Sequence, residues 1–213
     1  MNNIILLNGA PMVGKDVIAE EICRVVGNSC ELIEPHHIQF KKRLFDIALS
    51  IAGINSDVWF ERYNNRELKE KPWDRLPVGC GPLDFGMHHT QRSWLVEVSE
   101  DIIKPAMGKR FFGKAAAQEI IEDQSCDIMK LSGWSHLHVF SDSGFPDEVI
   151  PLFEIPNTSV HLIRLTREGC SFDGDSRNYL KGDYRYATVQ YLINDKGIGD
   201  IAKEILHLVN VEA

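Results

Sequence analysis

Residues 9–16 read Gly-Ala-Pro-Met-Val-Gly-Lys-Asp, so two glycines bracket four residues and a lysine follows at once. That spacing fits G-x-x-x-x-G-K, in which the glycines let the backbone turn tightly and aim successive N–H groups at phosphate oxygens. Both flanks agree. Ile4, Ile5, Leu6 and Leu7 form a short apolar run of the kind that makes a strand buried on both faces. Ile18, Ile22, Val25 and Val26 then recur at helical spacing. The expectation is a phosphate-binding loop of Gly9, Ala10, Pro11, Met12, Val13, Gly14, Lys15, Asp16 and Val17. The helix N-terminus would add partial positive charge, and Lys15 would reach the β- and γ-phosphates of a nucleotide. The plainer alternative is a glycine turn that happens to precede a lysine.

The residue after the lysine departs from the usual Ser or Thr. Asp16 can ligate Mg²⁺ directly or through water, or it can serve as a first-turn acid stabilised by the helix dipole. Both readings stay open, and neither disturbs the phosphate cradle. Asp142 is the second acid of interest, because residues 137–141 read as an apolar strand that ends there. The carboxyl ends of parallel strands present ligand groups, and phosphoryl-transfer proteins keep a Mg²⁺-holding carboxylate at such a place. A turn aspartate in Ser141-Asp142-Ser143-Gly144 is the plainer alternative. Asp16 and Asp142 are the candidate metal residues, and Glu148 is expected to be a solvated helix residue.

Phosphoryl transfer also puts charge on the transferred oxygens, which planar guanidinium groups neutralise well. Arg164 and Arg167 flank a strand end, and Arg177 lies within Asp173-Gly174-Asp175-Ser176-Arg177. A Gly- and Asp-rich segment bearing arginine can close over a nucleotide and exclude water. For any single arginine, pairing with a local acid at the surface is the competing role. Arg92, Lys109 and Arg110 flank a helical segment in mid-chain and can face an acceptor phosphate. The expected catalytic set is Lys15, Asp142, Arg92, Arg164, Arg167 and Arg177.

The histidines do not spell a metal site. His36-His37 and His88-His89 are adjacent pairs whose members point different ways, and His136 and His138 share a strand face with no third ligand evident. They read as structural or surface residues. Trp59, Trp73, Phe60 and Tyr63 can stack on a base, but core packing is their expected role. Cys23, Cys30, Cys80, Cys126 and Cys170 are scattered, odd in number and free of any C-x-x-C, which suits reduced thiols in a cytoplasm.

Positioning these groups requires alternating strands and helices. Strands are expected at 4–7, 31–34, 137–141, 159–166 and 189–194. A helix is expected over 35–52, another over 94–102 that ends near Pro105, and another through Phe112, Ala116 and Ile120. A terminal helix carries Ile201, Ile205, Leu208 and Val209, with Asp200 as its cap. Residues 53–87 mix charge, prolines and Gly79-Cys80-Gly81-Pro82 with little periodicity, reading as a long loop or insertion with an irregular helix near 58–69. The alternation favours α/β with a mostly parallel sheet. At 213 residues, 44% hydrophobic and 25% charged, the chain suits one domain with an acceptor-side insertion at 53–90 and a lid at 164–186. The 23 Lys and Arg against 31 Asp and Glu give a net charge of −8, which disfavours coating of nucleic acid. No apolar run approaches the ~20 residues of a membrane span, and residues 1–7 lack the basic segment of a signal peptide.

Taken together, these motifs resemble the phage deoxynucleoside monophosphate kinases of the P-loop nucleoside and nucleotide kinase superfamily. The likeness rests on G-x-x-x-x-G-K-D, whose Asp16 that group shares, and on Arg92-Ser93-Trp94-Leu95 followed by acids. It continues in a strand ending at Asp142 that leads to the acidic stretch at Glu148, and in His161-Leu162-Ile163-Arg164. A Gly/Asp-rich stretch and a closing Ile193-Asn194-Asp195 complete it. It touches most of the chain, though only the loop is specific by itself. Gly144 departs from it, since those kinases can carry arginine there, and residues 53–87 find no counterpart. The resemblance implies a nucleotide kinase-like three-layer α/β/α fold and Mg²⁺-dependent transfer of the γ-phosphoryl of ATP to a (deoxy)nucleoside monophosphate. Lys15 would hold the donor phosphates, Arg92 the acceptor phosphate, and Arg164, Arg167 or Arg177 would serve in the lid. Implied partners are small-molecule nucleotides in a cytoplasm (the host's, for a phage protein). A homodimer stays open, and neither membrane nor nucleic acid is expected. A kinase of another small molecule is the nearest rival, because the loop reports only the donor. A nucleotide-binding regulator or NTPase that transfers nothing is the other, and the arginine-bearing segment favours a kinase over it.

Overall fold

Five strands, β1 (Asn2–Gly9), β2 (Ile33–Ile38), β3 (Ser135–Phe140), β4 (Thr158–Thr166) and β5 (Ala187–Ile193), form one all-parallel sheet in the order β2-β3-β1-β4-β5. The computed structural model describes residues 2–78, 87–125, 134–175, 177–181, 187–193 and 195–211. Residues 79–86 with Cys80, Cys126, Ser176, residues 182–186 of the expected lid and Asn194 lie outside the described residues. The helices are α1 (Lys15–Ser29), α2 (Phe40–Ala52), α3 (Ser56–Tyr63), α4 (Arg66–Lys69), α5 (Gln91–Glu97), α6 (Lys104–Met107), α7 (Phe111–Ser125), α8 (Pro146–Val149) and α9 (Ile198–Leu208). By compactness the chain divides into Met1–Phe40 with Phe112–Ala213, and Lys41–Phe111.

The first unit is built around β1, which has a strand on either side and helices on both faces. Ile5 and Leu7 join Val139, Ile163 and Leu165 against Ile18, Ile22 and Val26 of α1 and Ile201 and Ile205 of α9. Ile4 and Leu6 point the other way and join Phe140, Leu162 and Ala116, Ala117 and Ile120 of α7. A strand covered on both faces has no use for polar alternation, which is why four apolar residues run together. Each of the four is wholly buried, contributing roughly 1.5–3 kcal/mol of transfer free energy. The architecture is therefore α/β, with helices on both faces of a parallel sheet.

Three local features differ from the sequence pattern. β2 spans Ile33–Ile38, so Pro35, His36 and His37 are extended and α2 begins only at Phe40. β2 lies at the edge of the sheet order, where the missing N–H of Pro35 is tolerated. Pro105 does not end its helix: α5 runs into a π-helical stretch, Val98–Ile103, and α6 follows with Pro105 in its first turn. The Lys104 N–H reaches back five residues to Ser99, and this wider turn relieves the clash between the proline ring and the preceding turn. Gly197, rather than Asp200, is the N-cap of α9; the Asp200 N–H donates to the Gly197 carbonyl, and its carboxylate sits in the first turn.

The second unit has its own core of Phe45, Leu49, Trp59, Trp73, Leu76, Trp94, Leu95 and Val98. Trp59 and Trp73 are thus packing residues, as expected. Trp94 Nε1 donates to the Ala48 carbonyl at 3.0 Å, and the buried Gln91 donates to the Trp59 carbonyl at 2.9 Å. Where the pattern predicts an irregular stretch, α3 and α4 form, each capped by an asparagine: Asn55 accepts the Asp57 N–H, and Asn65 those of Glu67 and Leu68. Among the described residues, no helix is long and apolar enough to cross a membrane.

α7 passes so close to the main chain of α8 that a Cβ at Gly113 would overlap the Glu148 carbonyl oxygen. Gly113→Ala should therefore destabilise the fold by about 1–2 kcal/mol net, although alanine is ordinarily the better helix former by ~1 kcal/mol. Urea unfolding of both chains measures the difference, and a variant as stable as wild type would contradict the close approach.

Candidate functional site

Gly9 ends β1 where the chain presses on β4. A Cβ there would lie 2.6 Å from the Leu165 carbonyl oxygen and 2.9 Å from Val13 Cγ1. Val13 is wholly buried and anchors the loop in the core. Met12 (φ 66) and Gly14 (φ 96) take left-handed conformations, strained for the first and natural for the second. The loop runs into α1 with Gly14 as N-cap and no capping side chain, so nothing of that kind meets the first-turn N–H groups of this 15-residue helix. Lys15 folds back over the loop. Its Nζ donates to the carbonyls of Gly9 at 2.7 Å and Ala10 at 2.8 Å, and the residue is only 8% exposed. Burial, reinforced by the charge of Arg177, pulls the amine down to about 8, against the opposing pull of Asp16, Asp175 and Asp142.

The two candidate metal carboxylates both act on Lys15, and each also has a structural bond. Asp16 Oδ1 accepts from the Ser141 hydroxyl at 2.6 Å and from Gln39 Nε2 at 2.9 Å. With the Ser141 proton committed to Asp16, His37 Nε2, 2.8 Å from the same hydroxyl, must be the donor to it. Asp142 is half-buried, and its Oδ1 accepts the Phe40 N–H at 3.0 Å at the start of α2.

The arginines part company. Arg177 forks onto Asp175, with Nε to Oδ1 at 2.9 Å and Nη2 to Oδ2 at 2.8 Å, and its main-chain N–H takes Oδ1 as well. The charges of Asp175, Asp142 and Glu148 all act on it. Glu148 is thus no solvated residue: it is 9% exposed on α8 with its carboxylate in the field of Arg177. Arg164 stays on β4 and donates through Nη2 to the Leu180 carbonyl, so its visible task is to hold that segment. Arg167 is exposed beyond β4 and takes no part in the hydrogen bonds around Lys15. Arg92 belongs to the second unit; its side chain is 59% exposed on α5, with Nη1 3.6 Å from Glu70.

Several residues here escape sequence reasoning. Asn8, wholly buried, donates through Nδ2 to the carbonyls of Ser143 at 2.8 Å and Asn178 at 3.3 Å, and accepts the Leu180 N–H at 2.9 Å. Tyr179 donates its hydroxyl to the Leu165 carbonyl at 3.1 Å. The available signal was one polar residue, Asn8, directly after the apolar run Ile4 to Leu7.

No protein-family model matches this sequence, and no curated protein matches it. Among solved structures, the chain is similar to a sugar kinase from Janibacter sp. HTCC2649, crystallised without ligand. The identity is 10%, the TM-score is 0.45, and the match covers 99% of this chain and 95% of that one.

The amine of Lys15 sits near 8 in the folded chain against an ordinary 10.5. Between those values the unfolded chain binds more protons, so this residue's contribution to stability rises with pH across that window and is constant below it. Lys15→Met removes the effect. Wild type should gain stability relative to the variant from pH 8 to pH 10.5, measured by urea unfolding; parallel pH profiles would refute the assignment.

Proposed function

We propose that this chain is a phosphotransferase that moves the γ-phosphoryl group of ATP, with Mg²⁺, to a (deoxy)nucleoside monophosphate. The observation that carries the reading is the turn from β1 into α1, where a desolvated lysine amine lies over a glycine loop at an uncapped helix N-terminus. Burial and Arg177 both disfavour the protonated amine. An arriving phosphate opposes both effects at once, so the site gains most from the ligand its shape suggests. The loop also sits at the carboxyl end of β1, between β3 and β4, where the strand order reverses direction and α/β sheets bind ligands.

Asp16 and Asp142 suit a hard divalent cation in donor type, since both are carboxylates and the charge of each acts at Lys15. Together they would hold Mg²⁺, which supplies charge neutralisation at the phosphates. As the bond from the γ-phosphorus to the leaving oxygen of ADP breaks and one to the acceptor phosphate oxygen forms, charge spreads over the transferred oxygens. Lys15 steadies the donor side, and Arg177 is the guanidinium suited to the transferred group. The acceptor class rests on the sequence resemblance, with Arg92 as the cation for its phosphate. Arg164 serves as a positioning residue through Leu180, and Arg167 remains the outer arginine of the lid.

The test is a panel of nucleoside monophosphates incubated with ATP and Mg²⁺, with diphosphate and ADP followed together, alongside calorimetric titration of ATP. Equal amounts of ADP and a nucleoside diphosphate are expected, and Lys15→Ala should weaken ATP binding. Binding without any acceptor turnover would leave a regulator or NTPase, and ATP affinity unchanged in Lys15→Ala would remove the whole reading.

The arginines separate by kinetics. Arg177→Ala should lower kcat by up to ~10³-fold, as loss of a transition-state arginine does. Arg92→Ala should raise the acceptor KM with little change in kcat. Asp142→Asn should lower turnover most at limiting Mg²⁺. The assignments fail if Arg177→Ala acts only on KM or if Arg92→Ala acts only on kcat.

A further inference from the structure

The sequence shows His136 and His138 on one strand face without a third ligand, and the sheet supplies one. β2 and β3 pair so that His36 stands directly beside His138, which in turn pairs with Ile4 of β1. The three imidazoles therefore gather on the sheet face that α7 covers. One ring nitrogen from each lies within 4.8 Å of the other two. His36 Nε2 is 3.0 Å from His136 Nδ1, and the rings of His36 and His138 stack at 4.9 Å. Two imidazole nitrogens bound at ~2.0–2.1 Å around a tetrahedral zinc stand about 3.3 Å apart, so His36 and His136 need only a small adjustment, while the stacked His138 ring must turn to bring its nitrogen to the ion.

We infer that His36, His136 and His138 bind one divalent transition-metal ion of the zinc type, clamping the edge strand β2 to β3 under α7. His138 is wholly buried, yet its Nδ1 has no hydrogen-bond partner. Buried polar atoms are ordinarily partnered, and three adjacent imidazoles are a costly way to fill an apolar layer. Asp123 of α7 places Oδ2 3.4 Å from His138 Nε2. A carboxylate there fixes that nitrogen as the N–H and leaves Nδ1 with the lone pair, the usual carboxylate–histidine–metal arrangement. Glu34 places a carboxylate 3.8 Å from His136 Nδ1, beside the nitrogen that would bind the ion. An all-imidazole set selects zinc and its neighbours over magnesium or calcium. His36, Glu34 and Asp123 are partly exposed, which gives the ion a way in.

The experiment needs no nucleotide. Untagged full-length protein, stripped with a chelator and dialysed against Zn²⁺, should retain one ion per chain by elemental analysis. Co²⁺ should give visible ligand-field bands, and Zn²⁺ should raise Tm while Mg²⁺ does not. His36→Gln and His138→Gln should each lose the ion and the Tm response, whereas the exposed His207→Gln keeps both. Asp123→Asn should weaken Zn²⁺ by about 10-fold or more, as loss of such an orienting carboxylate does. If His138→Gln fails to fold, the half-buried His36→Gln decides the matter. No retained Zn²⁺, or the same affinity in wild type and His36→Gln, would overturn the inference. Because the readouts are metal content and stability, neither depends on the chain being a phosphotransferase.

Discussion

Asn8 is wholly buried at the carboxyl end of β1, and an amide placed there without partners would cost several kcal/mol. Its partners come from far away in sequence: the carbonyl of Ser143 after β3, and the carbonyl of Asn178 and N–H of Leu180 in the segment before β5. One side chain thus ties together three pieces of chain that leave the same edge of the sheet. Arg164 adds a bond to Leu180, and Tyr179 one to Leu165. The segment that carries Arg177 is held from both sides, and Arg177 keeps its place beside Lys15 through these bonds.

The charges then arrange themselves around a cation that is short of water. Lys15 gives up hydration for two loop carbonyls, a poor exchange for an ammonium group unless negative charge is at hand. Asp16, Asp142 and Asp175 supply it in part, but Asp175 is spent on Arg177 and Asp16 on Ser141 and Gln39. Carboxylates already engaged by hydrogen bonds compensate Lys15 less than free ones would. The balance leaves the amine depressed to about 8, with burial the larger cause and the charge of Arg177 the smaller.

Much of this was legible from the sequence, for reasons that explain the rest. The loop from Gly9 to Lys15 could be read because its glycines do work that no other residue can, at a close approach to Leu165 and at a positive φ. β1 was legible because burial on both faces makes its middle, Ile4 to Leu7, wholly apolar. β2 was legible only at its start, since Pro35, His36 and His37 carry no apolar period, and its place at the edge of the sheet leaves it little core to fill. The hydrogen bonds from Gln39 and Ser141 to Asp16, and the meeting of His36 with His138, depend on which strands are neighbours. That is a property of sheet order, and spacing along the chain carries no trace of it. Glu148 differs for a related reason: its acidic surroundings in sequence suggest solvent, while Arg177, on which its charge acts, comes from beyond β4.

Gly144 shows the same point in reverse. It stands where the kinases this sequence resembles can carry an arginine, and by itself the glycine looks like a lost cation. In the fold, the stem of Arg177 runs across it, so a Cβ at 144 would lie 2.8 Å from Arg177 Cγ and Cδ. A side chain at 144 and an arginine entering from 177 therefore exclude one another. The absence of a side chain at 144 leaves room for a guanidinium delivered from the segment before β5, where Asp175 grips it and Asn8 and Arg164 hold the chain that follows. The positive charge near Asp142 rides on a segment fastened at the residues just after it. An arginine placed this way is coupled to the conformation of the β4–β5 connection, whereas one at 144 would be coupled to β3.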